Sequence, residues 1–76
     1  VDVMVLAHDR SGLLRDITSI LANEQVNVLG ANTLTDRETS IARMGLTLEI
    51  TDVVQLSRVL DQIGQLHNVV EAYRKS

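Results

Sequence analysis

The 76-residue chain contains no cysteine. No disulfide can staple it and no thiolate can hold a metal, so disulfide scaffolds, thiol redox chemistry and zinc ribbons are excluded. Aromatic residues are nearly absent as well, Tyr73 being the single one. Base-stacking modules of the RNA-recognition type need several aromatics on one sheet face, which one tyrosine cannot supply. Basic residues are outnumbered, seven Lys and Arg against ten Asp and Glu, and the net charge is −3 with both signs mixed along the chain. That balance argues against a general binder of polyanions. No apolar run approaches the ~20 residues of a membrane span, and no signal peptide is visible.

What is present is aliphatic. Val, Leu, Ile and Ala carry most of the 45% hydrophobic content. The length allows one domain, near the lower end of what folds alone. Its core is expected to be thin, so burial against a partner would add stability. The lack of cysteine fits a cytoplasmic location. The start at Val1, inside an apparent strand, leads us to expect a single domain, residues 1–76, excised from a longer chain.

Val1 to His8 place Val1, Val3, Val5 and Ala7 on one side of a strand and Met4 and Leu6 on the other. Two apolar faces suit a central strand. Leu13, Leu14, Ile17, Ile20 and Leu21 then recur as one stripe of an amphipathic helix, with Asp9 or Ser11 available to cap its first turn. Asn27 to Thr35 read as a second strand with Gly30 inside it, and residues 36–40 as a hairpin loop. Ala42, Met44, Leu46, Leu48 and Ile50 alternate with Arg43, Gly45, Thr47 and Glu49, the clearest strand signal in the chain. Asp52 followed by Gln55 forms a variant capping box. Val53, Leu56, Val59, Leu60 and Ile63 make the buried stripe of a second helix, which Gly64 is expected to end as a C-cap. Val69 to Lys75 close the chain as a strand. The order predicts an α+β, ferredoxin-like βαββαβ fold: a four-stranded antiparallel sheet with two helices on one face and the other face open.

The join "HDRSGLL", residues 8–14, carries the candidate site. The amides of Leu13, Leu14 and Arg15 have no intrahelical acceptor, and with the helix dipole they attract an anion. Gly12 would let a carboxylate or phosphate approach the backbone; it would equally serve turn geometry. Gly30 and Gly45, inside strands, mark a bulge or a group coming close to the backbone, or a simple packing accommodation. Catalysis finds little support. His8 and Asp9 point to opposite sides of a strand, and His67 reads as a solvated loop residue. No phosphate-binding glycine loop, carboxylate pair or metal-ligand cluster appears, so no catalytic residue, metal or cofactor is expected. Arg10 with Asn27 or Asn32 is similar to the phosphate-holding pair of small ferredoxin-like phosphatases, but the glycine-rich loop of those enzymes is absent.

"DRSGLLRDIT", "ILANEQVNVLG" and "MGLTLEI" together resemble an ACT domain, most closely the C-terminal ACT domain of RelA/SpoT-type enzymes, and the resemblance covers roughly Val1 to Lys75. It implies a non-catalytic regulatory domain of a GTP pyrophosphokinase, controlling (p)ppGpp synthesis and hydrolysis in the stringent response. It also implies a homodimer formed through sheet edges. In amino-acid-binding members a ligand sits between the first loop of one copy and the start of the second strand of the other. Carried over by position, that site comprises Ala7, Asp9 and Gly12 of the loop and Asn27 of the second strand; Leu13, Leu14, Val28 and Leu29 complete the candidate ligand-binding set. The Leu13 and Leu14 amides would take a carboxylate, and Asp9 and a partner's Asn27 the ammonium. Ala7, Val28 and Leu29 would favour a small aliphatic side chain, a branched-chain amino acid over serine. The alternative is a ligand-free module that docks to the ribosome or to other domains of its parent enzyme, using Arg10, Arg15, Arg37 and Arg43.

Overall fold

The computed structural model describes residues 1–8 and 12–75. Six elements follow in order: β1 (Asp2–Ala7), α1 (Leu13–Asn23), β2 (Asn27–Asp36), β3 (Ile41–Glu49), α2 (Val53–Gly64) and β4 (Val69–Arg74). The strands form one antiparallel sheet in the order β2-β3-β1-β4. This is the expected ferredoxin-like βαββαβ plan, with β1 and β3 central.

Strand alternation explains the layering. Val3, Val5 and Ala7 of β1 stand beside Leu46, Met44 and Ala42 of β3, and all six are buried. The helices lie on this face. Leu13, Ile17 and Leu21 come from α1 and Leu56, Val59 and Ile63 from α2, so the core is wholly aliphatic. Two stripe expectations are corrected. Leu14 is 53% exposed and Val53 73% exposed: beside Leu14 it is Leu13 that takes the inward position, and Val53 opens α2 at its outer rim.

The helix ends are built differently from one another. The N-cap of α1 is Gly12, at φ 74° and without a side chain to cap with; Asp9 and Ser11, expected there, lie outside the described residues. The C-terminus of α1 closes in a Schellman arrangement. Gln25 takes φ 59°, its amide donates to Ala22, and the amide of Val26 donates to Leu21 at 2.8 Å. Asp52 caps α2 as expected, accepting from the Gln55 amide at 2.8 Å. Gly64, however, is the last helical residue of α2; Gln65 occupies the cap with right-handed geometry. The expected left-handed glycine stop is absent because the chain continues through a further helical turn, Leu66 donating to Ile63.

Candidate functional site

At the N-terminus of α1 the first intrahelical bond runs from the Asp16 amide to the Gly12 carbonyl, 3.0 Å. The amides of Leu13, Leu14 and Arg15 precede it and have no acceptor within the helix. The left-handed φ of Gly12 explains the glycine locally, because a Cβ there is disfavoured whatever approaches it. Leu13 is 1% exposed, so its side chain belongs to the core and only its amide is left at the helix entrance. Ala7 is fully buried and its methyl cannot line a surface site. Asp9 lies outside the described residues.

Asn27, Val28 and Leu29 open β2, and every residue of this ten-residue strand is exposed. Val28 pairs with the buried Leu48, and Gly30 with Thr47, so Leu29 is the extra residue of a bulge. The bulge expectation near Gly30 is met. Asn27 Nδ2 donates to Glu49 at 3.5 Å across the strand pair.

Within one chain these two halves do not meet. Asn27 pairs with Glu49 at one end of the sheet, whereas Ala7, which leads into the first loop, aligns with Ala42 and Thr35 at the other. Eight residues of strand separate Asn27 from Thr35, about 26 Å at the strand rise. Sequence order hid this distance; only the strand register exposes it.

The remaining polar candidates are dispersed. Arg15 sits on α1, 3.9 Å from Asp16, Arg37 in the β2–β3 hairpin and Arg43 on β3; Arg10 lies outside the described residues. His8 and His67 are both exposed. Among the described residues no group of His, Asp or Glu could hold a metal ion, and no helix is long and apolar enough to cross a membrane.

Residues 1–74 match the ACT domain family. The chain belongs to that family. This ACT domain is 50% identical over 72 residues to a GTP pyrophosphokinase of Escherichia coli K12, covering 95% of the chain but only 10% of that enzyme. It is 39% identical over 74 residues to the Haemophilus influenzae GTP pyrophosphokinase, again spanning 10% of its length. Among solved structures it superimposes on the ACT domain of the Chlorobium tepidum GTP pyrophosphokinase with a TM-score of 0.77, at 14% identity, covering 95% of this chain and 91% of the other. The acetolactate synthase small subunit of Thermotoga maritima gives 0.78 at 18% identity, covering 95% of this chain and 44% of the other. These likenesses agree with the fold derived above. ACT domains are regulatory.

Proposed function

We propose that this ACT domain is the regulatory module of a GTP pyrophosphokinase, biasing (p)ppGpp synthesis and hydrolysis in the cytoplasm by binding a branched-chain amino acid between two copies. The observation that carries the reading is the uncovered β2 edge together with the separation of the two half-sites. A two-fold antiparallel pairing of β2 with its counterpart, centred near Ala31 and Asn32, would set the partner's Asn27 opposite Asp36. That is the end of the sheet where the first loop begins. The free amides at Leu13 and Leu14 would take the ligand carboxylate, and Asp9 with the partner's Asn27 the ammonium. Leu14, Val28 and Leu29, all exposed, offer aliphatic surface. The dispersal of Arg15, Arg37 and Arg43 over three elements favours sensing over docking to ribosomal RNA, which needs clustered charge.

Binding would regulate only by differing in affinity between two states of the parent enzyme. The test is an NMR amide titration of the domain with valine, isoleucine, leucine and serine, with solution mass measured alongside. Saturable shifts from Asp9 to Leu14 and around Asn27, in a dimer, support the sensor. Serine binding more tightly than valine, or no shifts at millimolar ligand, would sink it. Gly12→Val and Asp9→Ala should each remove the response while the amide spectrum stays dispersed.

A further inference from the structure

The sheet face turned away from the helices is a regular grid. Asp2, Thr47 and Gly30 form one row, Met4, Gly45 and Asn32 the next, and Leu6, Arg43 and Leu34 the third. Two of these nine positions are glycine, on adjacent strands and in adjacent rows, so the floor there is backbone, flanked by the side chains of Met4, Asn32 and Thr47. The result is a hollow of about 570 Å³, within the range of about 300–1,000 Å³ typical of small-molecule sites.

Neither glycine is required by its backbone. Only Gly12 among the described glycines has positive φ. A Cβ added at Gly45 would meet nothing nearer than 3.9 Å, and one at Gly30 likewise nothing nearer than 3.9 Å. Valine would suit either strand better on propensity alone. The glycines therefore cost the strands stability without relieving a clash, and what they leave is a flat backbone floor.

The walls around that floor are chemically polarised. Arg43 lies at one end, exposed, and among the described residues it makes no ion pair or side-chain hydrogen bond. At the opposite end the Asp2 carboxylate accepts from the Thr47 hydroxyl at 2.7 Å, and Lys75, whose amide donates to the Asp2 carbonyl, lines the hollow beside it, so the carboxylate is offset there and Arg43 is the cation without an opposing carboxylate. Asn32 offers an amide donor and acceptor at one side, and Met4 an apolar wall at the other. Arg43 and Gly45 are two strand residues apart, about 7 Å, so a group resting on Gly45 can carry an anion within reach of the guanidinium.

We propose that this hollow binds a flat heteroaromatic ring bearing an anionic arm, with the ring on Gly45 and Gly30, its N–H toward Asn32, and its anion on Arg43. The site lies on the opposite face of the sheet from the helices and is distinct from the amino-acid site proposed at Gly12. It is complete within one chain and does not depend on dimer formation.

The test uses the 76-residue chain and three probes: indole-3-acetate, the neutral alcohol indole-3-ethanol, and the puckered anion cyclohexylacetate. Indole-3-acetate is expected to bind saturably, shifting the amides of Gly30, Asn32, Gly45 and Thr47, while the other two bind about tenfold more weakly or not at all. Arg43→Gln should weaken indole-3-acetate about tenfold, the loss of one charge-assisted contact. Gly45→Val should abolish binding and leave amide dispersion unchanged, since an added Cβ meets only ordinary contacts at 3.9–4.0 Å, with Asn32 and the flexible end of Met4. Equal binding of the three probes, binding retained in Gly45→Val, no binding of indole-3-acetate, or shifts confined to Gly12–Leu14 would each overturn the proposal. The last of these would leave the amino-acid site standing, and a failed valine titration would leave this one untouched.

Discussion

The side-chain amide of Gln55 donates to the backbone carbonyl of Glu24 at 2.9 Å and so ties the start of α2 to the end of α1. Its oxygen accepts from both the Thr51 amide, 3.0 Å, and the Thr51 hydroxyl, 2.9 Å. At 8% exposure Gln55 is the one buried polar residue among those described. Removing a buried group that satisfies three partners strands each of them. Gln55→Ala is therefore expected to cost about 2–3 kcal/mol in denaturant unfolding. Gln55→Glu keeps the two acceptor roles and loses the donor to Glu24, so it should also destabilise the domain. A loss below about 0.5 kcal/mol for the alanine variant would show that water replaces the network.

The same helix junction carries an ion pair. Arg58 Nε lies 3.0 and 3.1 Å from the two carboxylate oxygens of Glu24, whose side chain is 13% exposed against 55% for Arg58. The pair is half in water, so its coupling in a double-mutant cycle should be about 0.5–1 kcal/mol at low salt. In about 1 M salt, where the screening length falls to about 3 Å, that coupling should shrink. A salt-independent coupling would point to packing of the Arg58 stem instead.

Three backbone positions should respond in opposite senses. Gly12 stands at φ 74°, so Gly12→Ala is expected to cost about 1–2 kcal/mol. Gln25 holds a left-handed angle that glycine adopts freely, so Gln25→Gly should stabilise by a few tenths of a kcal/mol up to about 1. Gly64 is helical with nothing within 4 Å of an added Cβ, so Gly64→Ala should also stabilise, by about 0.5–1 kcal/mol. Thermal melts of the three variants check the signs directly.

Alternation and helical spacing carried most of the fold because β1, β3 and both helices each bury one periodic face. The exceptions have local causes. Leu14 fits its stripe but sits beside Leu13, which takes the inward position, and Val53 opens α2 before the helix passes over the sheet. Val28, Leu29 and Leu34 are apolar yet exposed because β2 takes the sheet edge, and edge position is a property of strand order that no local pattern carries. The site suffered most from this. Asn27 and Gly12 were legible as residues of interest, whereas their placement at opposite ends of the sheet required the register. The hollow on the open face was foreshadowed by Gly30 and Gly45; that they share one face and adjacent rows was not.

The overhang can be measured. Val59 is fully buried between α2 and the sheet, while Val53, on the same nominal stripe, is 73% exposed. Val59→Ala removes two buried methyl-sized groups and should cost about 2 kcal/mol, including the cavity left behind. Val53→Ala should change stability by no more than about 0.5 kcal/mol and owes any gain to helix propensity. Equal losses at the two positions would place Val53 against a partner in solution.

The β2 edge offers the sharpest check of assembly. Its ten residues carry no charge before Asp36 and no proline, the devices by which natural edges resist pairing. A bulge at Leu29 is its only such interruption. If two copies join along β2, a lysine at Leu29 or Thr33 places like charges close to the two-fold axis and should weaken dimerisation by about tenfold or more. Both side chains are already exposed, so the monomer fold should be unaffected. Sedimentation at several concentrations separates the outcomes. A monomer in both variants and a dimer in the parent chain assigns the edge as the interface. A dimer that survives both lysines moves the interface to the helices or the open sheet face, and the shared amino-acid site between Gly12 and the partner's Asn27 loses its geometry.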